Sequence, residues 1–105
     1  FGLTVFLGQG TTDMLTGNVT HVRDGDTIEI GPTIIRLAGL NCPELGAFGG
    51  SGAKSEMQRL TANERLVCTA KGLDRYDRQL ASCTISGASE TLSDHMIKTG
   101  YCATW

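Results

Sequence analysis

Four side chains in this sequence stand out as groups able to handle charge and protons: Asp26, Arg36, Glu44 and Arg78. Asp26 shares strand alternation with Ile28 and Ile30, so its carboxylate points to the face that becomes core further along the strand. A bare buried charge is costly, and such a carboxylate calls for an arginine or a bound cation. Arg36 raises the converse question, lying between Ile35 and Leu37 in an apolar run where a guanidinium seeks an anion. In Asn41-Cys42-Pro43-Glu44 the proline forces an extended residue before it and stops a ladder, which displays Glu44 on a loop. If these strand ends meet on one rim near Arg78, the rim holds oxygen ligands, a carboxylate base and two guanidinium groups. Those are the parts that phosphodiester hydrolysis needs: a hard cation held by oxygens, a base for water, and fork-shaped cations for the charge that grows on phosphate.

Each residue also has a plainer reading. Asp24-Gly25-Asp26-Thr27 is by itself a turn with side-chain capping. Arg36 alone is a structural ion pair with Asp26 or Glu44, Glu44 a solvated loop acid, and Arg78 a hairpin surface charge. Tyr76 reads first as a turn aromatic packed on the sheet. His21 and His95 show no partner nearby in the sequence and are assigned no role.

The elements that must position these groups follow from periodicity. Leu15–Val22, Thr27–Ile30 and Thr33–Leu40 read as three antiparallel strands in meander order, separated by Arg23-Asp24-Gly25 and Gly31-Pro32 turns. A glycine-rich loop over Gly46–Gly52 precedes a helix over Ala53–Asn63, with Ala53, Met57 and Leu60 at helical spacing and Ser51 as its cap. Leu66–Ala70 and Gln79–Ser86 form a hairpin, and Leu92–Thr99 a second helix stopped by Gly100. The order βββαββα is that of a mainly β, α+β fold: a five-stranded OB-type Greek-key barrel with two or more helices.

At 105 residues, with 40% hydrophobic and 19% charged positions, the chain has the composition of one folded domain rather than a disordered tail. Residues 15–105 form that domain. Residues 1–14 read as a separate N-terminal segment: the apolar Phe1–Leu7 run is too short to span a bilayer, and a polar Gly8–Asp13 spacer follows. That segment is either the stump of a signal peptide or anchor or an ordinary first strand. The net charge of -2 excludes a global field that attracts polyanions, so any nucleic-acid contact must be local. Lys71, Arg75 and Arg59 are the basic residues outside the rim available for it.

Four cysteines in a small chain, none in a CxxC or Cys/His cluster, point to an oxidising compartment. Cys68 stands six residues before Asp74 and Cys83 six after Asp77, so a hairpin centred on Asp74–Asp77 sets them opposite each other. Cross-strand Cα atoms lie ~4.5 to 5.5 Å apart, within disulfide reach. Cys42 and Cys102 are left over, either as a second bridge or with Cys42 as a buried free thiol.

Taken in order and spacing, Asp24-Gly25-Asp26-Thr27, Ile35-Arg36-Leu37, Asn41-Cys42-Pro43-Glu44 and Asp74-Arg75-Tyr76-Asp77-Arg78 resemble the motifs of the staphylococcal nuclease-like (thermonuclease) family, and Met96–Gly100 resembles its late helix and turn. The resemblance runs from about Thr16 to Ala103. It implies a Ca2+-dependent nuclease acting on DNA and/or RNA, secreted or periplasmic, monomeric and without a stable protein partner. Carried over by position, Asp26 is a calcium ligand, Asn41 stands where the family usually has a second acid, and Cys42 offers its backbone carbonyl. Glu44 is the general base, and Arg36 and Arg78 bind the scissile phosphate and stabilise its charge. Tyr76 becomes a substrate contact, with Lys71 as a further one. Asn41 costs the metal site one negative charge, a departure that keeps open the alternative of a catalytically weak OB-fold module that binds single-stranded nucleic acid.

Overall fold

The computed structural model of the chain describes residues 4–7 and 13–105. Its strands are β1 (Thr4–Leu7), β2 (Asp13–Asn18), β3 (His21–Asp24), β4 (Thr27–Ile30), β5 (Thr33–Leu37), β6 (Leu40–Asn41), β7 (Arg65–Leu73), β8 (Gln79–Ile85) and β9 (Ala103–Thr104), with helices α1 (Gly50–Thr61) and α2 (Leu92–Lys98). The main sheet runs β1-β2-β7-β8-β5-β4-β3, and β6 and β9 pair separately. All neighbours are antiparallel except β5 and β8, which run parallel, with α1 and β7 lying between them in the chain. β2 and β3 follow each other across Val19-Thr20 yet stand near opposite ends of the ladder. Two consecutive strands thus serve opposite ends, so the sheet curls on itself, as an OB fold built from β2 and β3 with β4, β5, β7 and β8 requires.

Side-chain alternation places the core. Ile28 and Ile30 of β4, Ile35 and Leu37 of β5, Leu66 of β7, and Met57 and Met96 of the two helices are fully buried. Cys68 and Cys83 pair directly across β7 and β8 and form a disulfide in this core. Thr91 caps α2 by accepting from the Asp94 amide at 3.0 Å, and Leu92 and Met96 face inward.

Several boundaries differ from the sequence reading. Leu15–Val22 is not one strand but the end of β2 and the start of β3. Thr33–Leu40 stops at Leu37, where the Ala38 amide turns to the Ala81 carbonyl, and resumes as β6. Helix α1 begins three residues before Ala53 and ends at Thr61 rather than Asn63. Ser51 does not cap it: the capping position is Gly49, at φ 86°, a left-handed conformation that glycine adopts without strain. At the N-terminal side, residues 4–7 form a strand on β2, while residues 1–3 and most of the Gly8–Asp13 spacer lie outside the described residues. Among the described residues no helix is long and apolar enough to cross a membrane.

Candidate active site

The turn between β3 and β4 delivers Asp26 to the interior side of the sheet, 8% exposed. Its main chain is tied to β5, because the Leu37 amide donates to the Asp26 carbonyl at 2.9 Å. Its carboxylate accepts from the Thr27 hydroxyl at 3.2 Å and, through Oδ2, from the Cys42 amide at 2.9 Å. Burial first, then hydrogen bonding with Asp24, pushes the Asp26 carboxyl above the usual carboxylate range. The Cys42 amide and Arg36 pull the other way without overcoming it.

Arg36 sits mid-β5, opposite Thr27 on one side and Leu80 on the other. It is 8% exposed, and its guanidinium is held from three directions. Nη1 donates to the Leu37 carbonyl at 2.9 Å, Nη2 lies 3.4 Å from Asp26 Oδ2, and the carbon Cζ stands 4.9 Å from the centre of the Trp105 ring. The Asp26–Arg36 contact is longer than a direct hydrogen bond.

Arg78 is built by its own turn. Asp74 Oδ1 accepts the Tyr76 and Arg78 amides, both at 2.9 Å, and Oδ2 accepts Arg78 Nε at 2.7 Å. Asp77 completes the turn at φ 62°. Burial raises the Asp74 carboxyl, but the two amides and the guanidinium outweigh it and hold the group below its usual range. Tyr76 lies beneath two guanidiniums, with Arg75 and Arg78 at 5.1 and 5.2 Å from its ring centre.

Arg36, Arg75 and Arg78 meet with Tyr76, Trp105 and Asp74 around one open pocket of about 580 Å3. Three guanidiniums against one lining carboxylate, with two aromatic faces, make a receptor for an anion attached to flat rings. Lys71 is not part of it and lines a different hollow with Ser93, Asp94 and Thr104. Glu44 does not line the pocket either. It stands in an exposed turn whose form is set by the Ala47 amide donating to the Glu44 carbonyl at 3.0 Å.

Cys42 is not a free thiol, for it is joined to Cys102. With Asn41 and Pro43 it lines a second hollow facing residues 100–103. The Asp26–Cys42 hydrogen bond brings one carboxylate beside the Asn41–Cys42 main chain. By residue type, Asp26, Asn41 and Cys42 offer one carboxylate, one side-chain amide oxygen and one main-chain carbonyl, all oxygen donors of the kind a hard cation takes, with one formal negative charge. Among the described residues no three His, Cys, Asp or Glu side chains cluster around a metal position.

Two contributors escaped the sequence reading. Asp74 positions Arg78, and its signal was an aspartate opening a five-residue turn that closes on an arginine. Trp105, whose amide donates to the Gly39 carbonyl at 3.1 Å, covers Arg36, and nothing in its spacing announces that. His95, assigned no partner above, lies 2.9 Å from Glu56 across the two helices.

Among curated proteins the chain is similar to micrococcal nuclease of Shigella flexneri, 40% identical over 68 residues, covering 61% of this chain and 39% of that protein. The chain therefore spans about two fifths of that relative's length. The family model for staphylococcal nuclease homologues matches residues 34–105, which include Arg36, Asn41, Cys42, Glu44, Tyr76 and Arg78. That is more than half of the sequence, and the chain belongs to the staphylococcal nuclease homologue family.

Proposed function

We infer that this domain hydrolyses phosphodiester bonds of DNA and/or RNA in a calcium-dependent way, with water attacking phosphorus directly. The observation that carries the reading is the pocket where Arg36, Arg75 and Arg78 converge beside two aromatic rings. A backbone phosphate entering it receives donors from Arg36 and Arg78, and bases or sugars rest on the rings. Arg36 gives one donor to the Leu37 carbonyl and only faces Asp26 at 3.4 Å, and a guanidinium carries five donors, so donors remain for phosphate. Arg78 spends Nε on Asp74, which leaves its two terminal nitrogens for other partners.

Glu44, exposed and in no ion pair among the described residues, takes the proton of the attacking water. The new bond forms from water oxygen to phosphorus, the bond to the leaving sugar oxygen breaks, and that oxygen takes a proton from solvent. Calcium held by Asp26, the Asn41 side-chain oxygen and the Cys42 carbonyl would supply charge for the phosphoryl oxygen and the nucleophile. Two disulfides suit an oxidising, non-cytoplasmic setting, and secretion or export to a periplasm is the corresponding proposal.

The alternative, a module that binds single strands without cutting them, draws on the single carboxylate of the donor set and on Glu44 standing outside the pocket lining. One experiment separates the two: degradation of single-stranded DNA and RNA by the purified domain, with calcium and with chelator, for wild type and Glu44→Gln. Cutting that disappears in both the chelator and the Glu44→Gln arms supports hydrolysis. Retention of the strands without cutting in any arm transfers the reading to the binding module.

A further inference from the structure

The bridge from Cys42 to Cys102 reaches the site at the point where it is least supported. β6 is two residues long, held to β9 by the pairs Leu40–Thr104 and Asn41–Ala103. Beyond Asn41 the chain leaves the ladder, and Pro43 has no amide with which to rejoin it. Yet this stretch carries the Cys42 amide that donates to Asp26 at 2.9 Å, and two residues later Glu44.

The other end of the bridge is firmly anchored. Met96 of α2 is fully buried, and its carbonyl accepts the amides of Tyr101 at 3.0 Å and Cys102 at 3.1 Å. A continuous path of covalent and hydrogen bonds runs from the core through Met96, Cys102 and Cys42 to the Asp26 carboxylate. The sulfur also fills the space under the turn at residues 24–26: a Cβ added at Gly25 would come within 2.9 Å of Cys42 Sγ. Three segments distant in sequence thus rest on one bridge.

We propose that Cys102 is a positioning residue: through its bond to Cys42 it holds segment 41–44 against Asp26, so that calcium affinity and turnover depend on this disulfide and not on the Cys68–Cys83 one. The turnover part rests on the hydrolase reading above. The Cys68–Cys83 bridge joins neighbouring strands already paired along their length, so its loss lowers stability without moving the site. It is also fully enclosed, whereas Cys102 is partly exposed and borders the hollow lined by Asn41, Pro43 and Tyr101. A small dithiol therefore reaches the Cys42–Cys102 bond first. It donates two electrons, two protons pass to the cysteine sulfurs, and the dithiol closes to a cyclic disulfide.

The test compares wild type, Cys42→Ala/Cys102→Ser and Cys68→Ala/Cys83→Ala. Amide hydrogen exchange at residue 42 is read relative to Leu37, whose amide bonds to the Asp26 carbonyl and lies in the core strand. Calcium binding is read by calorimetry, and cutting of single-stranded DNA by kcat and KM. In the 42/102 variant, exchange at residue 42 should rise at least tenfold relative to Leu37. Calcium affinity should fall about tenfold or more, in the range lost when groups supporting a ligand are removed, and kcat should fall while KM for DNA changes little. The 68/83 variant should unfold at lower urea with the exchange ratio and calcium affinity unchanged.

If the 42/102 variant fails to fold, wild type reduced by dithiol and then reoxidised replaces it, and the exchange ratio should rise and return. An unchanged ratio and unchanged calcium affinity after loss of the bridge overturn the proposal. Wild type that neither binds calcium nor cuts removes the hydrolase reading instead, and the exchange ratio still decides whether Cys102 holds the segment.

Discussion

Glu56 offers the sharpest physical test of how the two helices are joined. It lies on the buried face of α1, where a carboxylate needs partners, and it has two. Arg59, one turn on, donates Nε to Oε1 at 2.9 Å and its second nitrogen to Oε2. From α2, His95 Nε2 meets Oε2 at 2.9 Å. Beyond them stand Glu90, whose carboxylate binds Lys98 and lies 3.6 Å from His95 Nδ1, and Tyr101 near Arg59. Hydrogen bonding from Arg59 is the largest influence and His95 adds to it, so the carboxyl is lowered from 4.5 to about 2 despite its burial.

A carboxylate whose folded value is depressed adds stability above its unfolded value and loses it as pH falls toward the folded one. The window is therefore pH 4.5 down to about 2. At about 1.4 kcal/mol per pH unit the whole interval corresponds to roughly 3 kcal/mol. Arg59 is 66% exposed, however, and water and salt screen its share, leaving about 1–2 kcal/mol. Glu56→Gln keeps the shape and removes the charge. Urea unfolding at pH 7 should show the variant about 1–2 kcal/mol less stable, with the gap closing as pH falls to about 2. Asp26, whose carboxyl is raised by burial, titrates in both proteins and cancels in the difference. A gap that is absent at pH 7, or that stays constant from pH 7 to 2, refutes this account of Glu56.

Gly25→Ala places a Cβ 2.8 Å from the Ala53 Cβ and 2.9 Å from Cys42 Sγ, neither of which can swing away; a loss of about 1–3 kcal/mol in urea unfolding is expected, and a change below about 0.5 kcal/mol would mean the turn shifts freely. Arg78→Ala should lower kcat/KM on single-stranded DNA by about 10^2 to 10^3, with Arg78→Lys only partly restoring it because the fork onto Asp74 and phosphate is lost. Wild-type rates in either variant would remove Arg78 from the reaction. With a net charge of -2 and three guanidiniums at the pocket, single-strand binding by Glu44→Gln should fall with salt on a log-log slope of about -2. A slope steeper than about -5 would place further phosphate contacts outside the pocket.

What the sequence could disclose was whatever depends on neighbours along a strand or on counting outward from a turn. Asp26 and Arg36 stood out because charge interrupted apolar alternation, and both are buried. Cys68 and Cys83 were matched by counting from Asp74 and Asp77, and a two-residue slip in register would have separated them. Partners set by tertiary approach left no trace. Glu56 and His95 are 39 residues apart on different helices, and two-residue strands such as β6 and β9 are too short for any periodicity. The start of α1 is likewise set by tertiary approach. Gly50 lies where a side chain would fall on the Glu44 carbonyl, so the helix begins where the Glu44–Ala47 turn allows close packing rather than where a serine offers a cap.

Both arginines proposed to bind phosphate are paired with an aspartate in the protein alone, and the two pairs differ in kind. Arg78 and Asp74 form a short, direct bond within one turn, which fixes Nε and costs nothing to keep when the terminal nitrogens bind phosphate. Arg36 and Asp26 stand 3.4 Å apart, both nearly buried, with Asp26 also committed to the Cys42 amide. A bound cation at Asp26 would compete with Arg36 for the same oxygen. Releasing the guanidinium toward phosphate and filling the oxygen with metal are therefore favourable together and unfavourable singly, because either alone leaves a buried charge without its partner. Under the proposed reading, this coupling, rather than a dense cluster of acids, would let a site with one ligand carboxylate hold metal and phosphate at once.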